Sequence, residues 1–120
     1  MADEITVQTY LAVRKNELVF TYDSGRYTVD MSGTGGPSPG YVTIGTTEES
    51  IAFGELGTLG FVMLKNLDTT NYVRWGFATG VYGGRCEAGE TALFRLNPGS
   101  TLYLIANTAA CKMLVYGMED

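Results

Sequence analysis

The sequence predicts an all-β fold: a single-domain antiparallel β-sandwich, jelly-roll-like, with eight or nine strands over residues 1–120. Apolar and polar residues alternate with a period of two over long stretches, as they do in strands with one buried face. Turn signals rich in Gly, Asn, Asp and Pro separate these stretches about every ten residues, and no long segment shows the period of an amphipathic helix. A chain of 120 residues suits one domain, because two smaller domains would each bury too little apolar surface.

The alternation is clearest at the start of the chain. Residues 5–13, 18–23 and 27–31 each alternate apolar with polar side chains, and short turns separate the three segments. The second turn, Asp23-Ser24-Gly25, supplies a glycine that can adopt positive φ. This pattern predicts three antiparallel strands, each with one polar face.

Residues 32–40 contain neither large apolar nor charged side chains and predict a long, flexible, exposed loop. The spacing of Gly33 and Gly35 is compatible with a phosphate cradle, but such a cradle needs a helix directly after it. Pro37 and Pro39 follow instead, so we favour the exposed loop.

The remaining strands are predicted from shorter apolar runs separated by glycine-rich links, the longest of which spans residues 79–91. Val73, Trp75 and Phe77 share one face of their strand, a spacing typical of core residues. The predicted strands of this part lie at residues 50–53, 61–64, 72–77, 93–96, 102–106 and 111–116, and the loop leads into them through residues 41–44.

Charge and composition exclude several function classes. The net charge of −5 argues against a nucleic-acid partner, and the absence of His excludes histidine catalysis and imidazole metal sites. No window approaches the roughly 18 apolar residues of a membrane span, so we expect no membrane partner. The first residues lack the positive charge and apolar segment of a signal peptide, so we expect folding in a cytosol, with Cys86 and Cys111 as free buried thiols.

The sequence predicts no enzyme, no cofactor and no metal. The carboxylate pairs Asp23 with Asp30 and Glu48 with Glu49 are typical of solvated surface charge. A hard cation held by Asp68 with Asn66 and Asn71 is the one metal site left open. The 8 Tyr, 5 Phe and 1 Trp could also form a sugar platform.

The last strands are apolar on both faces, whereas a two-layer sandwich buries only one face of each strand. The second face must be covered either by loops of the same chain or by another subunit, and the sequence does not say which of the two faces of residues 102–106 points inward. The candidate interface residues are Tyr103, Ile105, Leu114, Tyr116, Pro37, Pro39 and Tyr41.

Three segments in the second part of the chain have a distinctive sequence: residues 60–73 (GFVMLKNLDTTNYV), residues 89–96 (GETALFRL) followed by Pro98 and Gly99, and the closing Leu114-x-Tyr116. These segments resemble small structural proteins of tailed bacteriophages. The resemblance covers roughly residues 49–120; the first 48 residues contribute only compatible strands. The family carries no catalytic motif to transfer to this chain.

The resemblance implies a non-enzymatic virion component assembled in the host cytoplasm. We expect a capsid decoration (cement) protein that binds the major capsid protein as a homotrimer. Two alternatives stay open: a tail or fibre component, and a carbohydrate-binding β-sandwich module.

Overall fold

A computed structural model describes residues 4–53 and 56–119, and within them every regular element is a β-strand. The predicted all-β class is confirmed, but these residues form twelve strands rather than eight or nine. By its internal contacts the chain divides into two units, residues 1–32 and 33–120. The expectation that residues 1–120 act as a single domain stays a prediction.

The first unit contains two strand pairs, not the three strands predicted. The predicted first strand is interrupted at Gln8 and Thr9, where Gln8 Nε2 donates to Asp23 Oδ1 at 2.9 Å and the Thr9 N–H donates to Ser24 Oγ at 2.9 Å. Strand β1 pairs with β4, and β2 pairs with β3, both antiparallel. The strands are β1 (Ile5–Val7), β2 (Tyr10–Lys15), β3 (Leu18–Asp23) and β4 (Tyr27–Val29).

The second unit is a sandwich of two four-stranded sheets. Its strands are β5 (Ser38–Ile44), β6 (Glu49–Ser50), β7 (Leu59–Asn66), β8 (Val73–Gly76), β9 (Gly84–Cys86), β10 (Thr91–Arg95), β11 (Tyr103–Ala106) and β12 (Cys111–Glu119). The first sheet has the order β10-β7-β12-β5, and the second has the order β6-β11-β8-β9.

The strand pairing within the sandwich is that of a jelly roll. Strand β5 pairs with β12, β6 with β11, β7 with β10 and β8 with β9. These are the pairs of one long antiparallel hairpin, and rolling that hairpin up distributes its strands over two sheets. The sandwich therefore consists of the eight strands β5–β12, whereas the prediction of eight or nine strands had included those of residues 5–31, which form β1–β4 in the first unit.

The core lies between the two sheets and is almost entirely apolar. Period-two alternation points one side of each strand inward, and on β12 Cys111, Met113 and Val115 are fully buried. Trp75 of the second sheet stacks on Phe94 of the first with 5.0 Å between ring centroids. The other buried side chains of this core include Ile44, Val62, Leu64, Val73, Cys86, Leu102 and Leu104.

Strands β5 and β9 differ from the prediction for reasons of local chemistry. Strand β5 begins at Ser38, inside the predicted loop, and Pro39 pairs with Tyr116. Strand β5 is an edge strand, and proline is tolerated in edge strands because every second N–H there points away from the sheet. Strand β9 lies inside the predicted link at residues 79–91, where its three residues are too short and glycine-flanked to show alternation.

Candidate interaction surfaces

Four of the seven predicted interface residues share the outer face of the first sheet. Leu114 lies opposite Tyr41, and Tyr116 lies opposite Pro39, because β12 and β5 pair in that register. Met63 of β7 also lies opposite Tyr116 and extends the patch toward β10. We call this surface the Tyr41 face: Pro39, Tyr41, Met63, Leu93, Leu114 and Tyr116.

The Tyr41 face is partly exposed, and two lysines lie at its border. The Tyr41 side chain is 59% exposed, and Leu93 is 40% exposed. Lys65 lies opposite Leu114, and Lys112 Nζ lies 5.9 Å from the Tyr41 ring centroid. The strand segments 39–43, 61–65, 91–95 and 112–116 contain no Asp or Glu. In a chain with a net charge of −5, this surface suits an apolar partner with an acidic rim.

The other three predicted interface residues lie elsewhere. Pro37 is exposed in the segment before β5. Tyr103 and Ile105 are half-buried on the outer face of the second sheet, while Leu104 of the same strand is fully buried. The structure thus settles which face of β11 points into the core, a question the sequence left open.

Around Ile105, the outer face of the second sheet carries arginines and tyrosines. Ile105 lies opposite Arg74, and Arg74 lies opposite Arg85. The Arg74 guanidinium sits 5.1 Å from the Tyr82 ring centroid, and that of Arg85 sits 3.8 Å from the Tyr72 ring centroid. Side chains of the same chain therefore cover part of this face.

Glu48 links this face to the turn that follows β8. It accepts hydrogen bonds from the Tyr82 hydroxyl and, at 2.8 Å, from the Gly80 N–H. The Tyr82 hydrogen bond is the main cause that lowers the pKa of Glu48, and the same bond raises the pKa of Tyr82. The carboxylate of Glu48 thus holds its own chain's backbone, as Glu49 does by accepting from the Gly45 N–H at 2.8 Å.

An apolar depression of about 470 Å³ opens beside Trp75. Phe77 is 47% exposed at its rim, so the prediction that Phe77 belongs to the core with Val73 is wrong. The floor is made of glycine: a Cβ on Gly84 would lie 2.2 Å from the Trp75 ring. The shape suits a flat apolar group such as the face of a sugar ring or an aromatic side chain.

The β2–β3 hairpin is the surface that sequence reasoning missed. Every residue of both strands is exposed, and Val7 of β1 is the single buried residue among those described in the first unit. The alternation in these strands predicted one buried face, and that prediction is wrong for the isolated chain. The alternation of apolar and polar residues indicated that one face of the hairpin is buried, but it did not indicate which surface buries it.

The polar groups around Asp68 bind their own backbone. Asp68 Oδ2 accepts from the N–H groups of Thr70 at 2.9 Å and Asn71 at 2.6 Å, and the Asn71 bond is the main cause that lowers the pKa of Asp68. Asn66 Oδ1 accepts from the Asp68 N–H at 2.9 Å. Among the described residues, no group of three or more Cys, Asp or Glu is arranged to hold a metal ion.

Both cysteines are free and buried, as the sequence predicted. Burial is the main cause that raises the pKa of the Cys86 thiol, and it likewise raises the pKa of Cys111. A protonated, buried thiol is a poor nucleophile, so both residues serve as small apolar groups in the core.

No protein family model, curated protein or solved structure matches the chain. None of the described residues belongs to a helix long and apolar enough to cross a membrane.

Proposed function

We propose that the protein is a non-enzymatic structural component of a tailed-phage virion, namely a capsid decoration protein that binds the major capsid protein as a homotrimer. The observation that carries the proposal is the Tyr41 face, which brings Leu114, Tyr116, Pro39 and Tyr41 together on one sheet. Two of these residues, Leu114 and Tyr116, belong to the segments that resemble small phage structural proteins.

The architecture supports the same proposal by analogy. Jelly rolls occur in viral coat and lectin domains, and a fold alone does not define a function. A decoration protein needs no active site, because many copies each contribute a modest contact to the stability of the shell. An apolar patch with a basic border provides such a contact with an acidic shell surface.

Labelling of intact particles tests the location. Particles of the phage or prophage that encodes the chain are incubated with gold-labelled antibody against the protein and imaged by electron microscopy. Label distributed over the shell supports the proposal. Label confined to the tail supports the alternative of a tail or fibre component, and absence of label from particles overturns the virion assignment.

A pair of variants tests the Tyr41 face on purified empty shells. Tyr41→Glu places a negative charge within the patch and should reduce binding to the shell by at least about tenfold, since a like charge at an acidic interface opposes docking. Tyr103→Ser on the second sheet is the matched control and should bind as the wild type does. Binding that is equal for all three proteins would exclude the Tyr41 face.

The depression beside Trp75 favours one further candidate, a carbohydrate-binding module. Aromatic faces bind sugars, and Phe77 is exposed at the rim. Because the chain has one tryptophan, its fluorescence reports on the surroundings of Trp75, which lines this depression. Titration with oligosaccharides should leave the emission unchanged if the protein is a decoration protein, whereas a saturable change would support the carbohydrate module.

A further inference from the structure

Residues 33–36 lie in the connection between the first unit and the strands of the sandwich. The first unit ends at residue 32, and β5 begins at Ser38. The four residues are three glycines and one threonine, and none of them is buried. Because the segment has no large apolar side chain to bury, hydrogen bonds and backbone contacts must hold it in place. We call it the joining segment.

One side chain at the end of β12 binds the joining segment. Glu119 Oε1 accepts from the Gly35 N–H at 3.2 Å, and the Glu119 N–H donates to the Gly35 carbonyl at 3.0 Å. The other carboxylate oxygen, Oε2, accepts from the Gly57 N–H at 2.8 Å. Hydrogen bonds to an ionised carboxylate are stronger than those between neutral groups. The carboxylate of Glu119 therefore bridges two segments that are far apart in the sequence.

The backbone on both sides of this contact has a special geometry. Gly36 has a φ of 121°, and a Cβ there would lie 2.7 Å from the Gly117 carbonyl oxygen of β12. A side chain at this position would therefore force the joining segment away from β12. The register of β12 shifts between Gly117 and Glu119, and irregularities of this kind change the direction of the side chains beside them. The contact thus depends on local features of both segments.

The two segments that bind the Glu119 carboxylate contain no titratable side chain. Residues 33–36 are Gly-Thr-Gly-Gly, and residues 56–59 are Leu-Gly-Thr-Leu. Glu55 and Asp120 lie outside the described residues. A carboxylate that accepts two N–H groups is favoured in its ionised form, so the contact depends on the charge of Glu119.

We propose that Glu119 is a charge-dependent latch, which holds the joining segment and residues 56–57 at the end of β12 and releases both together while the sandwich stays folded. Protonation turns one carboxylate oxygen into a donor, which cannot accept from an N–H. The carboxyl group then binds one segment at most, and the other segment no longer fixes its direction. Segments held by few apolar contacts open locally at low cost in free energy. The latch does not rest on the proposed virion function.

Release of the latch lengthens the connection between the two units. With the latch closed, the chain is fixed to the sandwich from Gly35 onward. With the latch open, it is fixed from Ser38, where the pairing of β5 with β12 begins. The three additional residues extend the free connection by up to about 10 Å. The latch therefore sets the reach of the first unit.

Hydrogen exchange of individual backbone amides, measured by NMR at pH 7, tests the latch. In the wild type, the amides of Gly35 and Gly57 should exchange at least about tenfold more slowly than free peptide amides, because both donate to an ionised group. In Glu119→Ala both amides should lose this protection. The amide of Val115, in the middle of β12 between β5 and β7, should keep its protection and report that the sandwich is folded.

Glu49→Ala is the matched control. Glu49 Oε2 accepts from the Gly45 N–H at 2.8 Å, which is a bond of the same kind elsewhere in the sandwich. This variant should expose the Gly45 amide to exchange and leave those of Gly35 and Gly57 protected. Unprotected Gly35 and Gly57 amides in the wild type, loss at only one of them in Glu119→Ala, or equal loss in Glu49→Ala would each overturn the latch.

Acidification of the wild type gives a second measurement, which decides the outcome if Glu119→Ala does not fold. The protection factor compares each amide with a free peptide amide at the same pH. It should fall at Gly35 and Gly57 together as the pH drops below the ordinary glutamate pKa, while Val115 stays protected. Loss of protection at two separate pH values, or only together with that of Val115, would show that no such latch exists.

Discussion

The Glu119 carboxylate near the end of β12 accepts a hydrogen bond from the backbone N–H of Gly35 at 3.2 Å. Its second oxygen accepts from the Gly57 N–H at 2.8 Å, and the Glu119 N–H donates to the Gly35 carbonyl at 3.0 Å. A Cβ on Gly33 would lie 1.8 Å from a carboxylate oxygen, so a larger residue at this position would displace the Glu119 carboxylate. The glycine-rich segment before β5 therefore binds an anion, but the anion belongs to its own chain.

This contact predicts a specific dependence of stability on pH. The Gly57 and Gly35 hydrogen bonds lower the pKa of Glu119. Since the folded pKa lies below the ordinary glutamate value, the contribution is fully present above that value and is lost as the pH falls through the folded pKa. Glu119→Gln turns an amide donor toward one N–H and should lower the melting temperature at pH 7.

The difference in melting temperature between Glu119→Gln and the wild type should shrink as the solution is acidified, because the protonated wild-type carboxyl then also carries a donor. Glu17→Gln, in the exposed β2–β3 turn, is the control and should match the wild type throughout. A difference that stays constant down to the lowest pH at which the protein is folded would contradict the role assigned to the charge.

Two neighbouring glycines provide a test of packing beside Trp75. Gly84→Ala places a methyl group 2.2 Å from the indole ring and should destabilise the protein by about 1–3 kcal/mol through overpacking. A Cβ on Gly83 would meet no atom within 4 Å, so Gly83→Ala should change the free energy of unfolding by less than about 1 kcal/mol. Urea unfolding followed by Trp75 fluorescence measures the stability of both variants. Equal losses of stability would disprove the close contact between Gly84 and the Trp75 ring.

The buried Asn66 side chain holds three backbone groups. Its Nδ2 donates to the carbonyls of Asn71 at 2.9 Å and Cys86 at 3.1 Å, and its Oδ1 accepts from the Asp68 N–H. Asn66→Leu keeps the side-chain volume but leaves these backbone groups unpaired. The substitution should lower the free energy of unfolding by about 2–4 kcal/mol. Chemical denaturation measures this change. The control is Asn97→Ala, which alters an exposed residue and should change the free energy of unfolding little. A loss below about 1 kcal/mol in Asn66→Leu would show that solvent replaces the hydrogen bonds of the amide.

The sandwich was predictable because its information is local. Alternation within each strand and glycine turns between strands define the jelly-roll elements before any contact is known. Contacts between distant segments were not predictable in the same way: Glu119 and Gly35 lie 84 residues apart, and no pattern in either segment indicates the other. Strand β9 was missed because three residues are too few to establish a period.

The candidate surfaces were predictable only in part. An apolar outer face of β12 follows from the sequence, but joining it to Tyr41 requires the register of β5 against β12. For the β2–β3 hairpin the alternation was correctly recognised. The face that this alternation predicts to be buried is nevertheless exposed in the isolated chain.

The two thiols should be unreactive in the native protein. Cys86 and Cys111 are 1% and 0% exposed, and burial raises the pKa of both. A thiol reagent should therefore label neither residue at neutral pH and both after unfolding in guanidinium, and reductant should shift the melting temperature by less than about 2 °C because no disulfide closes a loop. Fewer than two labelled thiols in the unfolded chain would reveal a disulfide.

The assignment of the two faces of β11 yields a matched pair of double variants. Leu102→Ser with Leu104→Lys replaces two fully buried side chains and should prevent folding, since a lysine would be buried in the core without a partner. Tyr103→Ser with Ile105→Lys alters only the half-buried outer side chains and should fold with normal β circular dichroism. If it folds but dissociates under conditions in which the wild type is oligomeric, the interface between subunits includes the second sheet.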